Sequence, residues 1–398
     1  MRVYFINTVC GKGSTGTIVA DLCRVLKANG HAARVAYGRW THPNDIDALK
    51  IETTAGMYRH ALLARLTDRA GFFSRKATKR LIRDIRIFQP DIIHLHNLHG
   101  YYVNVEMLFR FLAEQKAPVA WTLHDCWPFT GHCTHYTFAG CDRYRTGCYD
   151  CPQRQRYPSA WRDNSFENHK RKQTLFSSVR TMRIITVSNW LKDQATSSFL
   201  SRYPVECIYN GVDLNTFRPI NSTWKKRNGL ESTTLILSVS DGWDERKGLS
   251  DILALARETV GQYTFVVVGL SKGQRTGLPT NVIGLERIWN RQELVELYST
   301  ADVFLNTSVE ETFSLVTAEA IACGTPAVVY SATACPEILD DQSGIVLPFD
   351  SSLQDIQNAL NKAKYFKGAR KRAWTFALEH NLREYLDLYE QMCQGHQR

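Results

Sequence analysis

The run Glu310-Glu311-Thr312-Phe313-Ser314-Leu315-Val316-Thr317-Ala318-Glu319-Ala320-Ile321-Ala322-Cys323-Gly324-Thr325-Pro326 decides how this 398-residue chain is read. Before it, residues 301–308 form an apolar stretch that reads as a buried strand, its end marked by Asn306, Thr307 and Ser308. Within it, residues 315–322 are good helix formers, stopped at Gly324 with Pro326 beyond. Glu311 therefore falls in a strand-to-helix turn and Glu319 inside the helix. The first amides of a helix lack internal partners, so a helix start at the end of a parallel strand suits phosphate. Carboxylates on both sides of that start suggest a ligand with a central diphosphate and hydroxyl-rich ends, which is the shape of a nucleotide sugar.

The same alternation of strand and helix runs outward from this segment. Residues 2–7, 33–37, 91–96, 119–124 and 182–187 read as strands in the first half, and residues 235–239 and 265–269 in the second. Helical stretches separate them, which predicts an α/β protein with parallel, doubly wound sheets. A chain of this length is too long for one typical core. Asn210-Gly211 reads as a turn that Pro219 closes, so the boundary is expected here. The expected division is 1–212, 213–375 and a terminal helix over 376–398.

The composition, 44% hydrophobic and 22% charged, is that of an ordinary globular protein. No apolar run approaches the roughly 20 residues needed to span a bilayer. The first residues read as a strand rather than a signal peptide, so a cytoplasmic protein is expected. The net charge of +10 is concentrated between Arg59 and Arg86, where nine basic residues stand against Asp68 and Asp84. Leu62, Leu63, Leu66, Phe72, Phe73, Leu81, Ile82 and Ile85 are interleaved with them. That pattern reads as a basic amphipathic helix on an anionic membrane surface, at the inner face, or as a solvated helix face. No nucleic-acid motif accompanies the charge, so no nucleic-acid partner is expected.

The pattern Glu311-x-Phe313-Ser314-Leu315-x-x-x-Glu319-Ala320-x-Ala322-Cys323-Gly324-Thr325-Pro326 resembles the signature of retaining glycosyltransferases of family GT4. The segment Asn210-Gly211-Val212-Asp213 with Phe217-x-Pro219 resembles the link between the domains of those enzymes. The resemblance covers nearly the whole chain. It implies the GT-B fold, with two Rossmann-like domains facing a central cleft and a terminal helix that crosses back to the first. It also implies transfer of a sugar from a nucleoside diphosphate-sugar donor to a saccharide or lipid-linked acceptor in surface polysaccharide assembly, without a catalytic metal.

By the same resemblance, Glu311 faces the donor sugar and Glu319 binds the ribose hydroxyls. Phe313 and the amides of Ser314, Leu315 and Val316 belong to the diphosphate turn, with Ser314 where the family usually has glycine. Lys247, before Gly248, matches the family's diphosphate-binding lysine. The partner arginine is missing, its place falling near Asp241, and Arg246 is the candidate replacement. His124 inherits contact with the transferred sugar. Gly13, Ser14 and Gly16 belong to a glycine-rich turn that approaches the donor. Retention without an enzymic nucleophile implies departure and attack on one sugar face, so the two-carboxylate glycosidase scheme does not carry over.

Other readings of these residues stay open at this point. Gly11-x-Gly13-x-x-Gly16 is also a dinucleotide-binding pattern. The second strand ends Tyr37-Gly38-Arg39, without the ribose-binding acid but with a cation that suits NADP. Loss of the family arginine also fits a nucleotide-sugar-binding homologue that does not turn over. His94-x-His96-x-x-His99 has metal-like spacing, with packing and acceptor contacts as the alternative. Of eleven cysteines, five lie within 126–151, in an insert over 126–152. Cys133, Cys141, Cys148 and Cys151 read as a structural zinc site, against free thiols or a redox pair.

Overall fold

The computed structural model describes residues 1–396. Two compact units divide the chain: residues 1–209 with the segment from Leu382 onward, and residues 210–381. In the first unit, seven parallel strands stand in the order β3-β2-β1-β4-β5-β6-β7. These are β1 (Arg2–Asn7), β2 (Ala32–Tyr37), β3 (Ala48–Lys50), β4 (Ile92–Leu95), β5 (Val119–Leu123), β6 (Met182–Thr186) and β7 (Val205–Cys207). In the second, six parallel strands stand in the order β10-β9-β8-β11-β12-β13. They are β8 (Thr234–Val239), β9 (Tyr263–Val268), β10 (Val282–Leu285), β11 (Val303–Asn306), β12 (Ala327–Tyr330) and β13 (Gly344–Leu347).

Both sheets are of the doubly wound, Rossmann-like kind, with helices in most of the crossovers and loops between β2 and β3 and between β9 and β10. The central strands read as unbroken apolar runs because both of their faces are covered. Val3, Tyr4, Phe5 and Ile6 are fully buried, as are Phe265, Val266 and Val267. Strand order reverses between β1 and β4 in one unit and between β8 and β11 in the other. At such a point the two crossovers leave in opposite directions and open a crevice at the strands' carboxyl ends. The segments singled out from sequence leave these strands. Lys247 follows β8, Glu311 follows β11, and the glycine-rich turn follows β1.

The expected boundary at 212/213 moves to 209/210. Val212 bridges to Ala377, and its amide donates to the Phe376 carbonyl at 2.7 Å, which ties residues 210–212 to the second unit. The terminal helix expected over 376–398 starts two residues later: Ala373 ends a preceding helix, Trp374–Phe376 form a 3-10 turn, and Ala377 is extended. A new helix then runs over Leu378–His396. The basic segment is two helices, Thr54–Thr67 and Arg75–Phe88, because Asp68 and Ser74 both adopt left-handed backbone between them.

From Leu382 the last helix belongs to the first unit's core. Tyr385, Leu388, Tyr389 and Met392 pack with Val3, Phe5, Val19 and Leu22. The Tyr389 hydroxyl meets His94 Nδ1 at 2.7 Å, and the Tyr385 hydroxyl meets Thr122 Oγ1 at 3.0 Å. This helix therefore fixes the ends of β4 and β5 through polar contacts as well as apolar ones. Tyr389→Ala removes a fully buried ring and leaves His94 Nδ1 without its partner. It is expected to destabilise the first unit by about 3–5 kcal/mol, read as a lower urea midpoint. Tyr389→Phe keeps the ring and should lose only about 1–2 kcal/mol.

Candidate functional site

In the second unit the loops after β8 and β11 are locked together by a glycine. Gly248 has φ +70°, and a Cβ there would lie 2.4 Å from the Thr307 carbonyl oxygen. The close approach lets Thr307 Oγ1 donate to the Gly248 carbonyl at 2.9 Å, and the Val309 amide donate to the Arg246 carbonyl at 2.8 Å. Lys247 precedes this glycine, and its Nζ comes to rest 2.5 Å from Glu311 Oε1. The Glu311 amide donates to Thr333 Oγ1 at 2.8 Å, which holds the turn from the other side. Both partners of the ion pair remain partly exposed, with side-chain exposures of 24% and 18%.

The helix Leu315–Ala322 begins directly after Ser314, whose φ is +72°. Left-handed backbone at a residue with a Cβ costs about 1–2 kcal/mol, and such strain gathers at functional turns. Here the Ser314 side chain offsets part of it. Its Oγ accepts from Asn306 Nδ2 at 2.9 Å and pairs with Thr317 Oγ1 at 2.8 Å. Thr317 and Ala318 amides turn back to the Ser314 carbonyl, whereas the Leu315 and Val316 amides lie before the first intrahelical acceptor. Phe313 is buried edge-on against Phe376 and supports the turn from beneath, so its ring does not line an open surface.

Glu319 lies one turn further along, its Oε2 accepting from the Tyr298 hydroxyl at 3.1 Å. Burial pushes its carboxyl up to about 7, against the lowering effects of that hydroxyl and of Arg291. Arg246 is held on both sides: Nη2 reaches Asp244 Oδ2 at 2.8 Å and Nη1 reaches Glu310 Oε2 at 3.1 Å. The residue proposed from sequence to replace the missing arginine is thus anchored to carboxylates of its own unit. Asp241, near the family arginine's place, pairs with Arg287. The Arg287 guanidinium also lies 3.8 Å from the Trp289 ring centroid. Arg287 has no signal in sequence, because it lies beyond β10, more than 40 residues from Asp241.

In the first unit, Gly11, Gly13 and Gly16 form the turn after β1. Gly11 has φ +71° against Pro43, and a Cβ on Gly16 would meet Val9 Cγ2 at 2.9 Å. These glycines serve close packing, while Gly13 and Ser14 open the helix Gly13–Ala28. Arg39, the candidate cation for a 2′-phosphate, donates from Nε to the Gly100 carbonyl at 3.1 Å and lies over Tyr101.

His124 directly follows β5 and stacks on His96, with ring planes 14° apart and Nε2 2.9 Å from His96 Nδ1. Burial pushes His124 down to about 4, so near neutrality it is an uncharged imidazole. His94 joins Tyr389 and Thr122 (2.8 Å), and His99 Nε2 meets Asp125 Oδ2 at 2.7 Å. The three histidines of the H-x-H-x-x-H run thus take separate partners. Among the cysteines, Cys133 and Cys151 are hydrogen-bonded and Cys148 is adjacent, while Cys141 is half-buried.

Residues 15–216 match the family model described as Glycosyltransferase Family 4, and residues 221–373 match that of Glycosyl transferases group 1. The chain belongs to glycosyltransferase family 4. This glycosyltransferase is 23% identical to the Escherichia coli (strain K12) protein named colanic acid biosynthesis glycosyl transferase WcaC, over 98% of this chain and all of the relative. Its fold is similar to sucrose-phosphate synthase from Thermosynechococcus elongatus, with TM-score 0.70, 16% identity and 99% of each chain covered. It is also similar to Anabaena HepE, solved with UDP and glucose, with TM-score 0.67, 15% identity and 98% and 100% covered. The fold is GT-B. Membership in this family sets aside the NADP-dependent oxidoreductase.

An acid with a folded pKa above its unfolded value holds an extra proton in the fold between the two. Glu319 therefore contributes less stability as pH rises from about 4.5 through 7. Glu319→Gln removes that proton dependence. Thermal melts of the unliganded glycosyltransferase are expected to show the variant gaining a few degrees over wild type between pH 6 and pH 8. An equal pH slope in both proteins would show that Glu319 does not titrate as described.

Proposed function

We propose that this glycosyltransferase moves a hexosyl group from a nucleoside diphosphate-sugar to a lipid-linked saccharide in surface polysaccharide assembly, with retention at the transferred carbon. The observation that carries the donor reading is the Lys247–Glu311 contact at the strand-order reversal, beside the start of the helix Leu315–Ala322. On donor binding, Lys247 and the Leu315 and Val316 amides take the diphosphate charge. Glu311 turns to the sugar hydroxyls and Glu319 to the ribose. As the bond from sugar carbon to diphosphate oxygen breaks, the acceptor hydroxyl bonds to that carbon from the same face. Its proton passes to the departing diphosphate oxygen. No divalent metal is needed, because Lys247 and the amides supply the charge compensation. The UDP and glucose bound by HepE support the donor class, and the name of WcaC supports the pathway.

Anchoring of Arg246 to Asp244 and Glu310 favours a second reading, a homologue that binds donor without turnover. One assay separates the two: nucleotide sugars are screened with and without lipid-linked saccharides, reading donor binding, released nucleoside diphosphate and the product anomer. Turnover with a retained anomer is expected, and Lys247→Ala should lower kcat at least about 100-fold. Binding without release for every acceptor would favour the second reading, and an inverted product would overturn retention. Failure of every donor to bind would remove both.

The membrane reading rests on the helix Arg75–Phe88. Leu81, Ile85 and Phe88 face the core, leaving Lys76, Lys79, Arg80, Arg83 and Arg86 exposed around Ile87, which is 69% exposed. No helix among the described residues is long and apolar enough to cross a membrane, so surface attachment is the mode proposed. Each basic side chain near an anionic surface contributes about 1 kcal/mol. Co-sedimentation with phosphatidylglycerol vesicles is expected at low salt, and Arg83→Glu with Arg86→Glu should reduce it at least tenfold. Equal binding to neutral vesicles would argue against the electrostatic reading.

A further inference from the structure

The insert after β5 contains a buried imidazole that the transfer reaction does not use. His132 has no exposed side-chain surface, and its Nδ1 is hydrogen-bonded to Asp68 Oδ1. Asp68 is itself buried and accepts from the Asn164 amide at 2.8 Å. With Nδ1–H donated to a carboxylate, Nε2 of the neutral ring presents a lone pair. That Nε2 is buried and has no hydrogen-bond partner. Buried polar atoms are nearly always paired, so an orphan calls for an explanation.

Cys151 lies within electrostatic reach of His132, and its sulfur is hydrogen-bonded to that of Cys133. The Gln153 amide donates to Cys151 Sγ, and the Gly131 amide donates to Cys148 Sγ at 3.1 Å. Backbone N–H groups aimed at sulfur stabilise a thiolate, which is the form that binds metal. Cys148 and Cys151 have the two-residue spacing of zinc knuckles. A carboxylate on the far nitrogen of an imidazole is the arrangement that orients histidine ligands.

Lys172 gives a second, independent observation. It is about 1% exposed, its Nζ donates to the Trp127 and Thr130 carbonyls at 2.8 and 3.0 Å, and it lies over the Trp127 ring. Burial disfavours the ammonium form of Lys172, and a negative charge beside it restores that form; Cys133 and Cys148 are its sulfur neighbours.

We propose that the insert carries a structural zinc site formed by Cys133, Cys148, Cys151 and His132 Nε2, with Cys141 outside it. Zinc with three thiolates and one neutral imidazole bears one net negative charge, which Lys172 offsets. Among the described residues no three such side chains already close on one point. Metal entry therefore displaces the thiol protons and replaces the Cys133–Cys151 hydrogen bond with two metal–sulfur bonds. The site staples the segment that leaves β5 through His124 and Asp125. Asp125 caps the start of that segment, accepting from the Trp127 amide at 2.9 Å.

The full chain, purified without chelator from zinc-supplemented medium, is analysed for metal. About one zinc per chain is expected. Cys141→Ser should retain it, Cys151→Ser should lose it, and His132→Gln should weaken affinity about 10- to 100-fold. If the variants misfold, wild-type protein still decides the question. Chelation should expose about three further thiols to a disulfide reagent. The cobalt form should show charge-transfer intensity for three thiolates rather than four. Zinc below about a tenth per chain, loss of metal in Cys141→Ser, or four thiols released would each overturn the assignment. Two thiols missing as a disulfide in metal-free protein would overturn it too.

Discussion

The second unit depends on the approach of the loop after β8 to the end of β11, which only a residue without a side chain permits. Gly248 takes a left-handed backbone and sits where a Cβ would meet the Thr307 backbone. The placement of the charges beside the helix start follows from that contact. It brings Lys247 onto Glu311 and Arg246 beside Glu310, although each pair is 64 residues apart. The resulting cluster holds two cations, Arg246 and Lys247, and three carboxylates, Asp244, Glu310 and Glu311. The cluster is therefore not a strongly positive one. The neutral amides at the helix start carry weight in receiving a diphosphate, and the strained Ser314 backbone is what presents them.

The first unit is organised by burial of polar groups in pairs. His94 and His96 are buried completely, and the two tyrosines of the terminal helix supply hydroxyls that reach β4 and β5. Such networks are stable when every member is satisfied and costly when one is removed. His94 and His99 pair on both ring nitrogens, with hydroxyls or with Asp125, whereas His96 and His132 each keep a buried Nε2 without a hydrogen-bond partner.

Much of the architecture is legible in the sequence because the central strands are buried on both faces and so read as short apolar runs. The edge strands are not. β3, β7, β10 and β13 are three or four residues long, and their residues are partly exposed, so no periodicity marks them. The break at Ala377 is hidden for a different reason: its residues are acceptable helix formers, and the extended conformation is imposed by the bridge to Val212. Phe313 shows the limit of motif reading, since a residue inside a ligand-binding signature can serve the core beneath it.

The sequence by itself determined the class of fold, the strand-turn-helix setting of Glu311 and Glu319, and the lysine before Gly248. These are local matters, set by apolar runs, helix stops and one glycine. Only the tertiary structure decided which charges meet. It joined Lys247 to Glu311, anchored Arg246, brought Arg287 to Asp241 and set Asp68 behind His132. Those pairs come from crossovers that carry distant strand ends to one place, and no local spacing encodes them.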